Sequence, residues 1–146
     1  MNTIKNSGDK ELTVRLNTLE NSDQVHTIEE VSDKSYGNGN TAENRVSEFL
    51  GKPTGSTTEY NPNGIRDING KERQPVDALT HELLGHGYDC DQGTSTLART
   101  SNGIRMNEVN AVKIENRMRA VNNEKSRTHY GGKLIPPSLL KQIYIK

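Results

Sequence analysis

The stretch THELLGHG (80–87) holds three residues whose types suit metal-assisted hydrolysis: His81, Glu82 and His86. Two imidazoles on one side of the element that carries them can ligate a zinc ion. A neighbouring glutamate can take a proton from the water that the ion activates. The usual spacing of two such histidines is four residues, whereas here it is five. In a regular α-helix a gap of four leaves two side chains about 40° apart around the axis, and a gap of five leaves them about 140° apart. A plain helix therefore splays the two rings. A π-bulge that absorbs the extra residue restores the alignment, and such bulges recur at functional sites. Gly85 lies inside the interval, where a residue without Cβ makes the distortion cheap. The spacing predicts one wide turn near Leu84 or Gly85. The competing reading is two ordinary histidines near a glutamate, in a chain with four histidines.

Two helices are expected to position this chemistry. Pro75 suits the first turn of a helix, because its missing N–H is unpaired there in any case. That helix is expected to run from about residue 75 to Gly87, anchored by Leu79, Leu83 and Leu84. A loop with three glycines (87–103) follows, then a second long helix from about Met106 to Asn122. Ala111, Ile114, Met118 and Val121 form its apolar stripe, with Val112 near the edge. Upstream, ELTVRLNTL (11–19) alternates Leu12, Val14 and Leu16 with polar residues, the pattern of a half-buried strand. TAENRVSEFLG (41–51) reads as a helix capped by Thr41, with Val46, Phe49 and Leu50 packed on the core. Residues 55–64 read as an extended segment entering an Asn-Pro-Asn-Gly turn. Residues 32–40 and 67–75 read as polar turns, the latter with Asn69-Gly70 as its sharpest signal. Residues 1–10 are polar and expected to be loose. The closing SLLKQIYIK fits a short helix or a strand equally.

Composition narrows the class. Hydrophobic residues make up only 29% of 146, close to the edge of disorder, but the formal net charge is zero. One small domain spanning 1–146 is expected, with a thin core to which a bound metal adds stability. Balanced charge gives no electrostatic footprint for nucleic acid or an anionic membrane. Cys90 is the only cysteine, so no internal disulfide can form. No apolar run reads as a secretory signal or a membrane span. The expectation is a chain that is cytoplasmic as made, even if it is later delivered to another cell.

The motif HELLGH (81–86) resembles that of the dipeptidyl peptidase III family, zinc peptidases whose helix carries the same one-residue insertion. The wider pattern STTEYNPNG…RQPVDALTHELLGHGYD…NEVNAVKIENRMRA…RTHYGG, over roughly 55–132, is similar to zinc metallopeptidase domains of bacterial Rhs-type toxins and type III effectors. Those domains usually carry the shorter His-Glu-x-x-His, a departure at this site. Both resemblances imply a gluzincin: His81 and His86 as ligands, Glu82 as general base, and Glu108 of NEVNAV as third ligand. The acidic residue that orients a ligand histidine in such enzymes is replaced here by Val112. Glu115, on the same face as Glu108, can serve that role or be the ligand itself. Asp89 and Asp91 are rival third ligands, as in metzincin-like or aspzincin-like sites.

His129 and Tyr130, on the Gly-rich RTHYGG turn, are candidates for a donor aimed at a developing oxyanion. A surface turn without chemistry is the alternative for both. His26 reads as a surface histidine.

The expectation is thus a small zincin-like α+β domain: a short antiparallel sheet, an active-site helix and a second, ligand-bearing helix. Its expected activity is zinc-dependent hydrolysis of peptide bonds in a protein or peptide substrate, as a bacterial toxin or effector domain. An immunity protein or a larger parent toxin would be its further partner. Residues 56–61 are the expected substrate-pairing strand. The alternatives are a metal-dependent nuclease toxin, which calls for basic surface near the histidines, and a zinc-stabilised binding module, which has no use for Glu82.

Overall fold

The computed structural model describes residues 1–32, 37–63, 65–66 and 72–141. The expected turns at 33–36, 64 and 67–71, and the segment 142–146, lie outside them. The fold is α+β. Its elements are α1 (Asn2–Lys5), α2 (Lys10–Glu20), β1 (His26–Glu30), β2 (Gly39–Ala42), α3 (Arg45–Phe49), β3 (Ser56–Tyr60), β4 (Ile65–Arg66) and β5 (Glu72–Arg73). Then come α4 (Pro75–Leu79), a π segment (Thr80–Gly87), α5 (Tyr88–Gln92), α6 (Met106–Val121), β6 (His129–Tyr130), β7 (Lys133–Leu134) and α7 (Pro137–Leu140). No helix among the described residues is long and apolar enough to cross a membrane.

The segment expected as a strand at 11–19 is helix α2. Leu12 and Leu16 satisfy an alternating and a helical period alike, and Leu19 decides between them. The three recur at helical spacing and are buried, whereas Val14 is 55% exposed. Asp9 caps the helix by accepting from the Leu12 N–H at 3.0 Å. The expected looseness of residues 1–10 is also corrected. Ile4 is fully buried, and burying such a side chain contributes about 1.5–3 kcal/mol. It joins Leu12, Leu16, Leu19, Leu79, Leu83, Leu84, Ile114 and Met118 in the main core. A second cluster, Ile104, Val109, Val112 and Ile135, lies on another side of α6, so Val112 is core rather than edge. The stripe loses Val121, which is 37% exposed.

The sheet is mixed, not antiparallel, with strand order β1-β3-β2. β1 runs parallel to β3, and β2 runs antiparallel to it. This places β3 in the centre with both edges paired, and β2 at one edge. Thr41 lies in β2, and the cap of α3 is Asn44, whose side chain accepts from the N–H groups of Val46 and Ser47. α3 is only one turn long, and Val46, Phe49 and Leu50 face outward at 57–69% exposure rather than packing on the core.

The active-site helix begins at Pro75 as expected but continues past Gly87 to Gln92, ending at Gly93 with φ 63°. The loop expected from residue 87 therefore starts six residues later than the three-glycine signal indicates.

Candidate metal centre

The wide turn is present and larger than the single bulge expected. All eight residues from Thr80 to Gly87 are π-helical, and both histidines fall within them. Two neighbours account for the distortion. Arg15 of α2 donates from Nη1 to the Leu84 carbonyl at 2.9 Å, while its guanidinium lies 4.2 Å from the Tyr88 ring centroid. A side chain that engages a helix carbonyl from outside is a recognised cause of local distortion. On the opposite side, Gly85 lies against Ala111 of α6. A Cβ on Gly85 would sit 2.7 Å from the Ala111 Cβ and 2.8 Å from its Cα. Glycine here sets how closely the two helices approach.

That approach brings the ligand candidates together. The rings of His81 and His86 lie 5.1 Å apart, centroid to centroid, at 71°. Oε2 of Glu108 lies 3.1 Å from His86 Nε2 and 3.4 Å from His81 Nε2. Burial pushes the Glu108 carboxyl up, but hydrogen bonds to His81 and His86, with their charge, outweigh it and hold the group well below the usual carboxylate range. Donor atoms of His81, Glu82 and His86 also lie within 4.8 Å of one another, so this group can hold a metal ion.

The dimensions of a bound ion can be set against this donor set. Tetrahedral zinc with bonds of roughly 2.0–2.1 Å has ligand atoms about 3.3–3.4 Å apart. The distance from Glu108 to His81 matches that spacing, and the one to His86 is slightly shorter. Glu82, with an oxygen within 4.8 Å of donor nitrogens on both rings, lines the same cleft. The residues present fit zinc.

Glu115 stands behind His81. It is fully buried, and its Oε2 lies 3.0 Å from His81 Nδ1, the nitrogen facing away from Glu108. The same carboxylate accepts from Arg73 at 2.6 and 3.2 Å, from Arg119 at 2.9 Å and from Arg127 at 2.8 Å. Burial acts to raise its pKa, but the His81 hydrogen bond and the arginines hold it well below the ordinary value. With Nδ1–H donating to Glu115, the lone pair of Nε2 is left for the site, the usual carboxylate–histidine–metal relay. Glu115 thus fixes the His81 ring and does not itself line the cleft, three residues beyond Val112 on the same helix.

Asp91 is engaged elsewhere, and Asp89 has one partnered oxygen while its Oδ2 is buried without a hydrogen-bond partner. Asp91 binds His26 Nε2 at 3.0 Å and the Ser22 hydroxyl, and Asp89 accepts from the Thr94 hydroxyl at 3.1 Å. Neither lines the cleft beside the histidines. The expectation of a surface His26 is corrected as well. Its side chain is 5% exposed, and its Nδ1 lies 3.0 Å from Ser56 Oγ, so it pins β1 to β3 and α5.

Tyr130 reaches the site and His129 does not. The Tyr130 ring stacks nearly parallel to His81, with centroids 6.2 Å apart at 4°, and it lines the cleft. Burial, then the charge of Glu108 and a hydrogen bond with it, push the Tyr130 phenol up, so it stays protonated. Its neighbour His129 pairs with the Thr128 hydroxyl at 2.9 Å and is not part of the cleft wall. Adjacent strand residues point to opposite faces, which admits only one of the pair. Gly131 and Gly132, at φ 53° and 75°, close the β6–β7 hairpin that carries Tyr130.

The cleft has a volume of about 330 Å³, and its lining is largely polar. Glu82, His86, Glu108 and Tyr130 form one wall and β2 the other, with Arg45, Glu48, Arg105 and Asn107 at the rim. The strand beside the site is therefore the edge strand β2. Of residues 56–61, expected to take the substrate, Ser56–Tyr60 form β3 and are paired on both sides within the sheet.

Sequence reasoning missed Arg15, the three arginines around Glu115, and β2. Arg15 had a readable signal once 10–20 is recognised as a helix, because it lies on the flank of the Leu12/Leu16 face. Arg119 had one too, standing four residues after Glu115 on the same helix, whereas Arg73, Arg127 and β2 had none, since they come from distant segments.

These features bring a His-Glu-x-x-x-His group, which could hold a metal ion, against a carboxylate from a second helix. No family model, no curated protein and no solved structure matches the chain.

Proposed function

We propose that the protein is a zinc-dependent peptidase, with His81, His86 and Glu108 as ligands and Glu82 as general base. The observation that carries this reading is the convergence of Glu108 Oε2 on both Nε2 atoms, at distances close to the ligand–ligand spacing of a tetrahedral ion. Bound zinc supplies a Lewis acid that polarises the scissile carbonyl and brings the pKa of a coordinated water towards neutrality. Glu82, adjacent to His81 and lining the cleft, takes the proton from the attacking water and passes it to the leaving amine. Tyr130, kept neutral, donates its O–H to the oxygen on which charge develops. Glu115 holds His81 in the tautomer that presents Nε2. The free edge of β2 offers backbone N–H and C=O groups to an extended substrate strand, which sets the peptide across the cleft. Resemblance of the 55–132 pattern to toxin and effector metallopeptidases supports the same reading and extends it to a toxin or effector domain.

The test is Glu82→Gln, which keeps size and removes the base. It is expected to leave zinc content and thermal unfolding unchanged while lowering cleavage of a denatured-protein substrate by about 10²–10⁴. Undiminished cleavage by the variant would transfer the chemistry elsewhere. A chain that binds zinc yet cleaves nothing with Glu82 intact would be a zinc-stabilised module instead. The metal-dependent nuclease has no comparable support, because the cleft wall beside the histidines is acidic.

A further inference from the structure

The metal cleft does not end at its rim. A second groove of about 300 Å³ shares Arg45, Glu48, Arg105 and Asn107 with it and continues between α3 and the 95–97 loop. Two large apolar side chains face it, Phe49 and Leu97, at 69% and 65% exposure. Both stand uncovered in the groove that adjoins the site, where an occupant would bury them. The arginines on the shared wall are the second observation. Neither Arg45 nor Arg105 forms an ion pair with a carboxylate among the described residues, in contrast to the fully engaged Arg73 and Arg127. Glu48 on the same wall turns one oxygen towards the Cys90 thiol at 4.0 Å.

We propose that this groove is a substrate subsite, which takes a bulky apolar side chain while Arg45 and Arg105 hold a carboxylate of the same peptide. The substrate class is therefore an acidic peptide with an aliphatic or aromatic residue within a few positions of the scissile bond. The inference rests on the peptidase reading for what the cleft does with the peptide. Its own content is recognition: an extended strand rises about 3.3 Å per residue, so a few residues of a peptide in the metal cleft span into the adjoining groove that Arg45, Arg105, Phe49 and Leu97 line. Two guanidiniums on one wall suit a carboxylate, which each can engage through two N–H donors.

The experiment uses the full zinc-loaded chain carrying Glu82→Gln, so that binding is read without turnover. Fluorescein-labelled peptides are compared by anisotropy. One series replaces Asp or Glu by Asn or Gln, another replaces the bulky residue by Ser, and a third amidates the C-terminus. Acidic, bulky peptides are expected to bind about tenfold more tightly than the neutral or Ser-substituted ones, with the advantage shrinking as salt rises. Adding Arg45→Ala and Arg105→Ala is expected to abolish the acidic preference, with zinc content and thermal unfolding unchanged. Sensitivity to amidation would assign the carboxylate to the C-terminus, and insensitivity to a side chain. Equal binding of acidic and neutral peptides, a preference that survives the double arginine variant, or no binding by any peptide would overturn the proposal. Cleavage by the parent chain, measured on the same peptides, separates the two readings. Cleavage without preference removes the subsite alone, whereas preference without cleavage removes the peptidase alone.

Discussion

Gly85→Ala is a one-methyl change that tests how the site is assembled. The added Cβ would stand 2.7 Å from the Ala111 Cβ and 2.8 Å from its Cα, where carbon atoms normally rest about 3.5–4.0 Å apart. Because one obstacle is backbone, the strain cannot be relieved by a rotamer change. The π segment and α6 must separate by about 1 Å. Overpacking of this kind costs about 1–3 kcal/mol, and the helix propensity gained by replacing glycine returns up to about 1. A net loss of about 1–2 kcal/mol is expected in the metal-free chain, read by chemical denaturation. The effect on metal is expected to be larger. His81 and His86 stand on one of the separating elements and Glu108 on the other, one turn before Ala111. A shift of about 1 Å greatly exceeds the roughly 0.2 Å tolerance of a zinc bond. Zinc affinity, measured by competition with a chromophoric chelator, should fall by at least the 10–100-fold that follows loss of a ligand-orienting group. Adding Ala111→Gly removes the nearer obstacle but not the backbone carbon behind it, so it should restore only part of the loss. A Gly85→Ala protein with parental stability and zinc affinity would refute the close approach of these helices as the basis of the site.

Glu115→Gln leaves Arg73, Arg119 and Arg127 around an uncharged amide, so stability measured by chemical denaturation should fall by about 3–5 kcal/mol, with zinc bound 10–100-fold more weakly. Tyr130→Phe keeps the ring against His81 and removes the O–H; kcat should drop by about 10²–10³ with zinc content unchanged, and an unchanged kcat would remove Tyr130 from the chemistry. Asp77 supplies a pH test. Burial, then the charge of Glu124 against that of Arg119, lifts its carboxyl from an ordinary 3.8 to about 7, so the folded state favours the neutral form. Its contribution is complete below the ordinary carboxylate range and is lost as pH rises through about 7, by at most about 4 kcal/mol. Asp77→Asn should therefore become more stable relative to the parent as pH rises from about 4 to about 7 and level off above that; a constant difference across that range would contradict the assignment.

The parts of this fold that were legible in sequence are those governed by local rules. Pro75 marked a helix start, the stripe of α6 gave its span to within a residue, and the His81–His86 gap demanded a wide turn that the structure supplies. Misreadings arose where two patterns share residues or where burial depends on distant partners. Leu12 and Leu16 fit strand and helix alike. Val46, Phe49 and Leu50 have a core-like spacing, but no element covers them. At the site, His81, Glu82, His86 and Glu108 stand together as the motif and the resemblance implied, and of the RTHYGG pair only Tyr130 faces the cleft. Of the groups that support Glu115 only Arg119, four residues after it on the same helix, had a local signal. Arg73 and Arg127 reach Glu115 from other segments, and the edge position of β2 depends on strand order, which no local pattern encodes.

Metal analysis of the purified chain tests the central claim most directly, by native mass spectrometry with and without His81→Ala and His86→Ala. About one zinc ion per chain is expected in the parent after equilibration with a small excess of zinc. Both single variants should lose it, as should Glu108→Ala, while Glu82→Gln should retain it. A folded parent that carries no metal under those conditions, or a Glu82→Gln protein that loses zinc while Glu108→Ala keeps it, would contradict the account.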